Sequence, residues 1–316
     1  MNRIASIQSS YFSQKYKSPS VSVSYNLQYP NLYGRIYQNT IACSSTGQYV
    51  AFCASGCIYN SNNYGNTFTL TTVNAGMHSI AMNSTGVYQV AISTGDPMCN
   101  IYFSNDSGST WVVKLAVGAN TARWTESVCI DNTGQYVFIG SGGSAGSRNY
   151  VSNDFCQTFI QMGQVLMRSS CTINNSTKKV LYIDSYNNAI NSTVLTDAIP
   201  TETNLFPAIF TVAYSITSDT SGFNVAYTSR TQPGIGYSNN AGGSFIFLNS
   251  PSFILMMYAG TVLWGCCATT VYKSIDNGTS WNGVFSGSSI RSMCVSSTNT
   301  YIYIVYTDST IGIYSI

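Results

Sequence analysis

Charged side chains are scarce in this sequence: Asp, Glu, Lys and Arg make up 8% of its 316 residues, and the net charge is +2. A surface with so little charge does not attract nucleic acid or an anionic membrane over a distance. We therefore expect neither as a partner. Polarity comes instead from Ser, Thr, Asn and 24 Tyr, a composition typical of strands and turns rather than helices.

Long apolar runs and metal-ligand patterns are also missing. The first 20 residues lack the apolar core of a signal peptide, and no run approaches the roughly 18 residues that a membrane-spanning helix needs. The chain has one His, and its ten Cys include no Cys-x-x-Cys pair, so we expect no metal and no other cofactor. Most Cys lie inside apolar strand patterns, which favours reduced, buried thiols. The lack of a signal peptide and of a membrane span predicts a protein of the cytoplasm; a virion is the other location considered, and it follows from a resemblance described below.

A short polar stretch recurs five times in the chain. Each copy begins with Ser, carries Asp or Asn two residues later and closes with Trp or Phe; the copies start at Ser61, Ser104, Ser152, Ser238 and Ser274. The Asp or Asn side chain accepts hydrogen bonds from amides of its own turn, and Gly supplies a positive φ. We interpret each copy as a structural hairpin turn whose closing aromatic ring packs on a neighbour. The residues with this role are Asn63, Asp106, Trp111, Asp154, Asn240, Asp276 and Trp281.

A second repeated feature sets the length of the repeating unit. A polar turn precedes an apolar strand at seven places, about 38 to 48 residues apart, which suits a four-stranded propeller blade. The sequence therefore predicts an all-β fold, a seven-bladed β-propeller of four-stranded antiparallel blades. The repeats are expected to start near residues 39, 78, 126, 168, 214, 252 and 291. The reference turns are Gly47, Gly86, Gly134, about Ser176, Gly222, Gly260 and Asn299.

The seventh unit stops at its third strand, so its fourth strand must come from elsewhere. The segment from Val21 to Leu27 alternates apolar and polar residues, as an exposed outer strand does. We expect this N-terminal strand to complete the last blade and to remove a free sheet edge. Residues 1–20 are then an N-terminal extension, and residues 21–316 form one domain.

Seven polar residues stand at equivalent positions, eight before each reference turn, where the first strand of each unit begins. Because successive strands reverse direction, these residues should form a ring around one mouth of the central channel, opposite the five polar turns. Two interpretations remain open: the residues are polar because the mouth is wet, or their Arg side chains bind a carboxylate, sulfate or phosphate. The ring comprises Asn39, His78, Glu126, Arg168, Tyr214, Ser252 and Arg291.

The five polar stretches resemble the Asp-box (BNR) repeat of sialidase-like β-propellers, Ser-x-Asp-x-Gly-x-Thr-Trp, and the copies at Ser104 and Ser274 match it nearly in full. The resemblance implies a propeller, and it implies a sialidase-like glycoside hydrolase or a glycan-binding lectin as one function. Sialidases use three Arg, a Tyr nucleophile and a Glu, so the resemblance points to the Arg, Tyr and Glu of the ring. The Arg-Ile-Pro element of sialidases is at best Gly34 to Tyr37, and the chain has only two Glu.

The function that we expect is non-enzymatic, and we assign no catalytic residue. Low charge and abundant Tyr favour a binding or assembly module whose partner is a protein or a glycan. The Asn/Ser/Tyr-rich composition is similar to that of Asp-box proteins coded by large DNA viruses of protists, which implies a structural component of a virion or another large complex. The identity of the partner and the oligomeric state stay open.

Overall fold

The computed structural model describes residues 40–54, 56–74, 76–93, 98–118, 124–142, 148–164, 170–184, 189–197, 200–206, 213–229, 234–308 and 310–316. These ranges contain 27 strands and no helix. The strands form seven sheets, each built from strands that follow one another in the chain and pair antiparallel. Six sheets have four strands, and the last has three in the described part of the chain.

The strands of the first four blades are β1 (Ile41–Cys43), β2 (Val50–Ala54), β3 (Cys57–Ser61), β4 (Thr69–Asn74), β5 (Met77–Met82), β6 (Gln89–Ser93), β7 (Met98–Ser104), β8 (Val112–Gly118), β9 (Trp124–Ile130), β10 (Val137–Gly142), β11 (Arg148–Ser152), β12 (Ile160–Gln164), β13 (Cys171–Ile173), β14 (Lys179–Asp184), β15 (Ala189–Val194) and β16 (Thr203–Phe206). Those of the last three are β17 (Ala213–Ser218), β18 (Val225–Ser229), β19 (Ile235–Ser238), β20 (Ile246–Leu248), β21 (Leu255–Ala259), β22 (Val262–Cys266), β23 (Thr270–Ser274), β24 (Asn282–Ser286), β25 (Ile290–Val295), β26 (Tyr301–Tyr306) and β27 (Ile311–Ser315).

The first strands of the seven sheets form a closed ring. In chain order each one contacts the first strand of the next sheet, from β1 and β5 to β21 and β25, and β25 in turn contacts β1. This closure makes each sheet a blade and confirms the predicted seven-bladed β-propeller. The predicted N-terminal strand from Val21 to Leu27 and the extension before it lie outside the described residues, so completion of the last blade by that strand stays a prediction.

The core consists of apolar layers between neighbouring blades. A strand inside a blade is covered on both faces, which explains why β2 is buried along its whole length and has no polar alternation. Between blades 2 and 3, for example, Val90 and Phe103 pack with Val137 and Tyr150. Adjacent blades are therefore joined mainly by the burial of side chains.

The turns between the first and second strands, here called A–B turns, link the blades by hydrogen bonds. Ser45 N donates to Ser84 O at 2.8 Å, and Thr298 N donates to Ser45 O at 3.1 Å, which joins blade 7 to blade 1. Each turn needs one left-handed residue, and in blade 4 this is Lys178, with φ of 56°. The reference position predicted at about Ser176 is thus two residues too early.

Candidate functional site

The predicted ring is only partly visible in the described residues. His78 and Arg291 are the second residues of β5 and β25, and both are half-buried, whereas Ser252 precedes β21 and is exposed. All three lie where the chain enters a blade, on the face opposite the A–B turns. Glu126 is the third residue of β9 and Tyr214 the second of β17, but their side chains are outside the described part, as are Asn39 and Arg168 altogether. The ring of seven residues around the channel mouth and the binding of an anion by its Arg side chains stay predictions.

The five repeated polar stretches, here called box turns, form one hydrogen-bonded structure on the A–B face. In the second copy, Ser104 Oγ accepts from Gly108 N at 2.9 Å and donates to Asp106 Oδ1 at 2.7 Å. Asp106 accepts from Thr110 N at 2.9 Å and from Thr110 Oγ1 at 2.6 Å. The same Ser-to-Asp or Ser-to-Asn bond recurs at 2.8 to 2.9 Å in the other copies, at Asn63, Asp154, Asn240 and Asp276.

These hydrogen bonds hold the box carboxylates in their ionised form. Hydrogen bonds from Ser280 and Ser274 lower the pKa of Asp276 to about 2. Partial burial pushes the pKa of Asp106 upward, but hydrogen bonds from Thr110 and Ser104 outweigh it and leave that pKa below its usual range. A carboxylate fixed in this way inside its own turn is poorly suited to exchange protons with a substrate.

The two box tryptophans pack between blades. Trp111 contacts the apolar layer between blades 1 and 2, and Trp281 lies 4.4 Å from the Phe253 ring in the layer between blades 5 and 6. Each indole N–H donates to the carbonyl of the Gly in its own box turn at 3.0 Å. Both side chains are half-buried rather than enclosed.

Large apolar side chains are exposed where blades 5 and 6 meet on the box-turn face. Ile275, in the box turn of blade 6, is 73% exposed, and Ile246, at the start of β20, is 61% exposed. Between them lie two half-buried tyrosines, Tyr237 and Tyr258. We call these four residues the seam patch.

Hydrogen bonds fix the tyrosines of the seam patch. Tyr237, which pairs with Ile246 across β19 and β20, donates from its hydroxyl to Asn224 Oδ1 at 2.6 Å. Tyr258 donates to Asn277 Oδ1 at 3.2 Å, two residues beyond Ile275. Each tyrosine hydroxyl of the seam patch is therefore held by a hydrogen bond to an Asn of its own blade.

A polar pair that no sequence pattern predicts lies at the boundary of blades 3 and 4. Asn149 is fully buried and donates from Nδ2 to Glu202 Oε1 at 3.1 Å across the blade boundary. Burial raises the pKa of Glu202, although the hydrogen bond from Asn149 acts in the opposite direction. The carboxyl group can thus hold a proton at a higher pH than an exposed Glu. Asn149 is buried and Glu202 half-buried, so the pair lies at the boundary of the two blades rather than in an open pocket.

The described ranges contain neither a metal-binding cluster nor a membrane-crossing helix. Nowhere in them do three or more His, Cys, Asp or Glu side chains come together as metal ligands would. Similarly, none of the described segments is a helix of the length and hydropathy that a bilayer requires.

Several solved structures share the architecture. YCF48 bound to a D1 peptide aligns over 94% of this chain and 99% of its own, with 11% identity and a TM-score of 0.65. YCF48 from Cyanidioschyzon merolae aligns over 94% and 96%, with 13% identity and a TM-score of 0.63. A chain of the mitotic checkpoint complex aligns over 95% of both, with 11% identity and a TM-score of 0.68. Identity this low shows a shared fold alone. No family model and no curated protein matches the sequence.

Proposed function

We propose that this propeller is a non-enzymatic module that binds a protein partner, and that the seam patch is its contact surface. The observation that carries the proposal is the exposure of Ile275 and Ile246 beside two fixed tyrosines. Rigid Tyr with neighbouring aliphatic side chains is the composition that protein interfaces concentrate at their centres. Single exposed aliphatic residues are common, but two of them on one ordered patch are typical of an interaction site.

Two further observations support a protein partner. The box carboxylates and the patch tyrosines are held by hydrogen bonds within the fold, so this face offers contact area rather than reacting groups. Among the structural neighbours, YCF48 has been solved with a bound peptide and another neighbour is part of a multiprotein complex. We extend protein binding from these proteins to this chain as part of the proposal. More specifically, we propose that this binding places the protein in a virion or another large assembly.

The contact surface can be tested by returning blade 6 to the pattern of the other box turns. Ile275→Asn introduces the residue found at the same position in the other four copies, at Asn62, Asn105, Asn153 and Asn239. We expect Ile275→Asn and Ile246→Ser to fold normally and to lose a protein that the parent retains from an extract of its source cells. Asn62→Ser, at the same place in blade 1, is the control and should retain it.

Quantitative mass spectrometry of the retained proteins measures the outcome. If no protein distinguishes the parent from the two Ile variants, the seam patch is not the contact surface. Hydrolysis of a fluorogenic sialoside, or glycan-array binding abolished by changes at the ring but not at the patch, would replace the proposal with the sialidase or lectin alternative.

A further inference from the structure

Cys43 and Cys294 form a thiol pair between the first blade and the last. Cys43 ends β1, Cys294 lies near the end of β25, and these two innermost strands are in contact. Both side chains belong to the apolar layer that also contains Ile41, Phe52 and Tyr303. Within this layer burial, with a smaller effect of the neighbouring Cys43 thiol, raises the pKa of Cys294.

A second pair occupies the equivalent layer between blades 3 and 4. Cys129 in β9 and Cys171 in β13 pack in one cluster with Phe138, and these two innermost strands are in contact. Ser127 Oγ also lies 3.2 Å from Cys171 Sγ. Each pair thus shares one apolar layer and lies on adjacent innermost strands of two blades, and disulfide formation requires such closely spaced backbones.

We propose that Cys43 and Cys294 form a disulfide when the protein meets a peroxide, and that this bond joins the first blade covalently to the last. Cys129 and Cys171 form a second, slower disulfide of the same kind. All ten cysteines are free in the structure, which therefore represents the reduced form.

Access decides the order of the two reactions. Cys43 is half-buried, whereas Cys294, Cys129 and Cys171 are buried. An oxidant therefore reaches the first pair through Cys43 without local unfolding, but it reaches the second pair only when the blades open. Burial also raises the pKa of Cys294, which disfavours its thiolate, so the more accessible Cys43 is the first of its pair to react.

The reaction balances with one peroxide for each disulfide. Hydrogen peroxide takes two electrons from Cys43 Sγ, the O–O bond breaks, and a sulfenic acid and one water form. Cys294 Sγ then attacks the sulfenic sulfur, the S–S bond forms, and the hydroxyl group leaves as a second water with the Cys294 proton. Dithiothreitol reverses the product by thiol–disulfide exchange.

Treatment of the dilute full-length protein with hydrogen peroxide tests the inference. The number of titratable thiols should fall from ten to eight and later to six, as the four paired cysteines are consumed. Peptide mapping should find Cys43 joined to Cys294 in the first stage and Cys129 joined to Cys171 in the second. The bond should raise the midpoint of thermal unfolding by several degrees, because it restricts the unfolded chain, and dithiothreitol should restore the starting value.

Substitutions separate pairing from general oxidation. Cys43→Ser should abolish the first bond, and Cys57→Ala, which removes another half-buried thiol, should leave it intact. Cys43→Ala serves as the replacement if the Ser variant does not fold. Oxidation of Cys43 to a sulfinic acid while Cys294 keeps its thiol would overturn the proposal, as would linkage of Cys43 to a second molecule. Formation of the Cys129–Cys171 bond before the first would refute the assigned order.

Discussion

The ion pair between Lys178 and Asp131 allows the strongest test of how the blades are joined. Lys178 Nζ lies 2.7 Å from Asp131 Oδ2 across the boundary of blades 3 and 4, and the Asp131 side chain is 0% exposed. Asp131 also accepts from Tyr136 N at 3.0 Å, and Lys178 Nζ lies 5.1 Å from the centre of the Tyr136 ring. Replacing Lys178 by Met keeps the length of the side chain and removes its charge.

The expected loss of stability follows from the two interactions that Lys178→Met removes. A hydrogen bond to a charged group contributes about 1.5 to 3 kcal/mol. The contact between the ammonium group and the Tyr136 ring adds about 0.5 to 1 kcal/mol. We therefore expect the free energy of unfolding at pH 7 to fall by about 2 to 4 kcal/mol, as measured by urea denaturation with Trp fluorescence. Lys179→Met is the matched control: burial lowers the pKa of Lys179, so removal of its charge should leave stability equal or slightly higher.

The pH dependence gives an independent measurement. Burial pushes the pKa of Asp131 upward, but the Lys178 hydrogen bond and those from Tyr136 and Thr133 outweigh it, and the pKa is lowered in the folded protein. The stabilisation is therefore complete above the unfolded-state pKa of about 3.9 and is lost as the pH falls through the folded value. The difference between the parent and Lys178→Met should shrink in that acidic range. A difference below about 0.5 kcal/mol at pH 7, typical of a neutral surface change, would refute the argument.

Three other expectations concern different parts of the ring of blades. Glu202→Gln should raise the midpoint of thermal unfolding at pH 8 but not at pH 4. Burial raises the pKa of Glu202, so ionising its carboxyl group destabilises the folded protein at pH 8, whereas at pH 4 the group is protonated and this penalty is absent. Equal thermal shifts at both pH values would contradict this. Deletion of residues 1–30 should cause aggregation, measured by light scattering, if the predicted strand covers the last blade; a soluble and equally stable deletion would exclude it. Replacing Arg168 and Arg291 together by Met should abolish any stabilisation by sulfate in a thermal scan if the ring binds anions, and persistent stabilisation would place the anion elsewhere.

The fold was predictable because each repeating unit contains turns that require particular residue types. Left-handed positions need Gly or a tolerant polar residue, and most reference turns supply one, including Gly47 and Gly134 with φ of 80° and 88°. The prediction was two residues off in blade 4, where the left-handed residue is Lys178. A Lys at such a position carries no sequence signal, since its compensation comes from the ion pair with another blade.

The polar pair at the boundary of blades 3 and 4 was not predictable, because it depends on packing between units. Glu202 follows β15 in blade 4, which has no box turn. Its position therefore has no equivalent in the repeated pattern of the other blades. Its partner Asn149 comes from the preceding blade, which periodicity within a unit cannot reveal. Likewise, adjacency of Cys43 and Cys294 follows only from closure of the ring, which brings the ends of the chain together.

Part of the seam patch, by contrast, can be found in the sequence by comparing the five box turns. The second residue of a box turn is exposed in blades 1, 2, 5 and 6, so the turn does not need a particular side chain there. Four copies have Asn, and only blade 6 has Ile275. An apolar residue gains nothing in stability at a position that is 73% exposed, and the neighbouring serine and aspartate already complete the hydrogen bonds of the turn. The hydrogen bonds of this box turn are complete without the side chain of Ile275. Its exposure in this one copy therefore favours contact with another molecule. By this reasoning one face of the propeller both holds the blades together and presents the surface that we propose for binding.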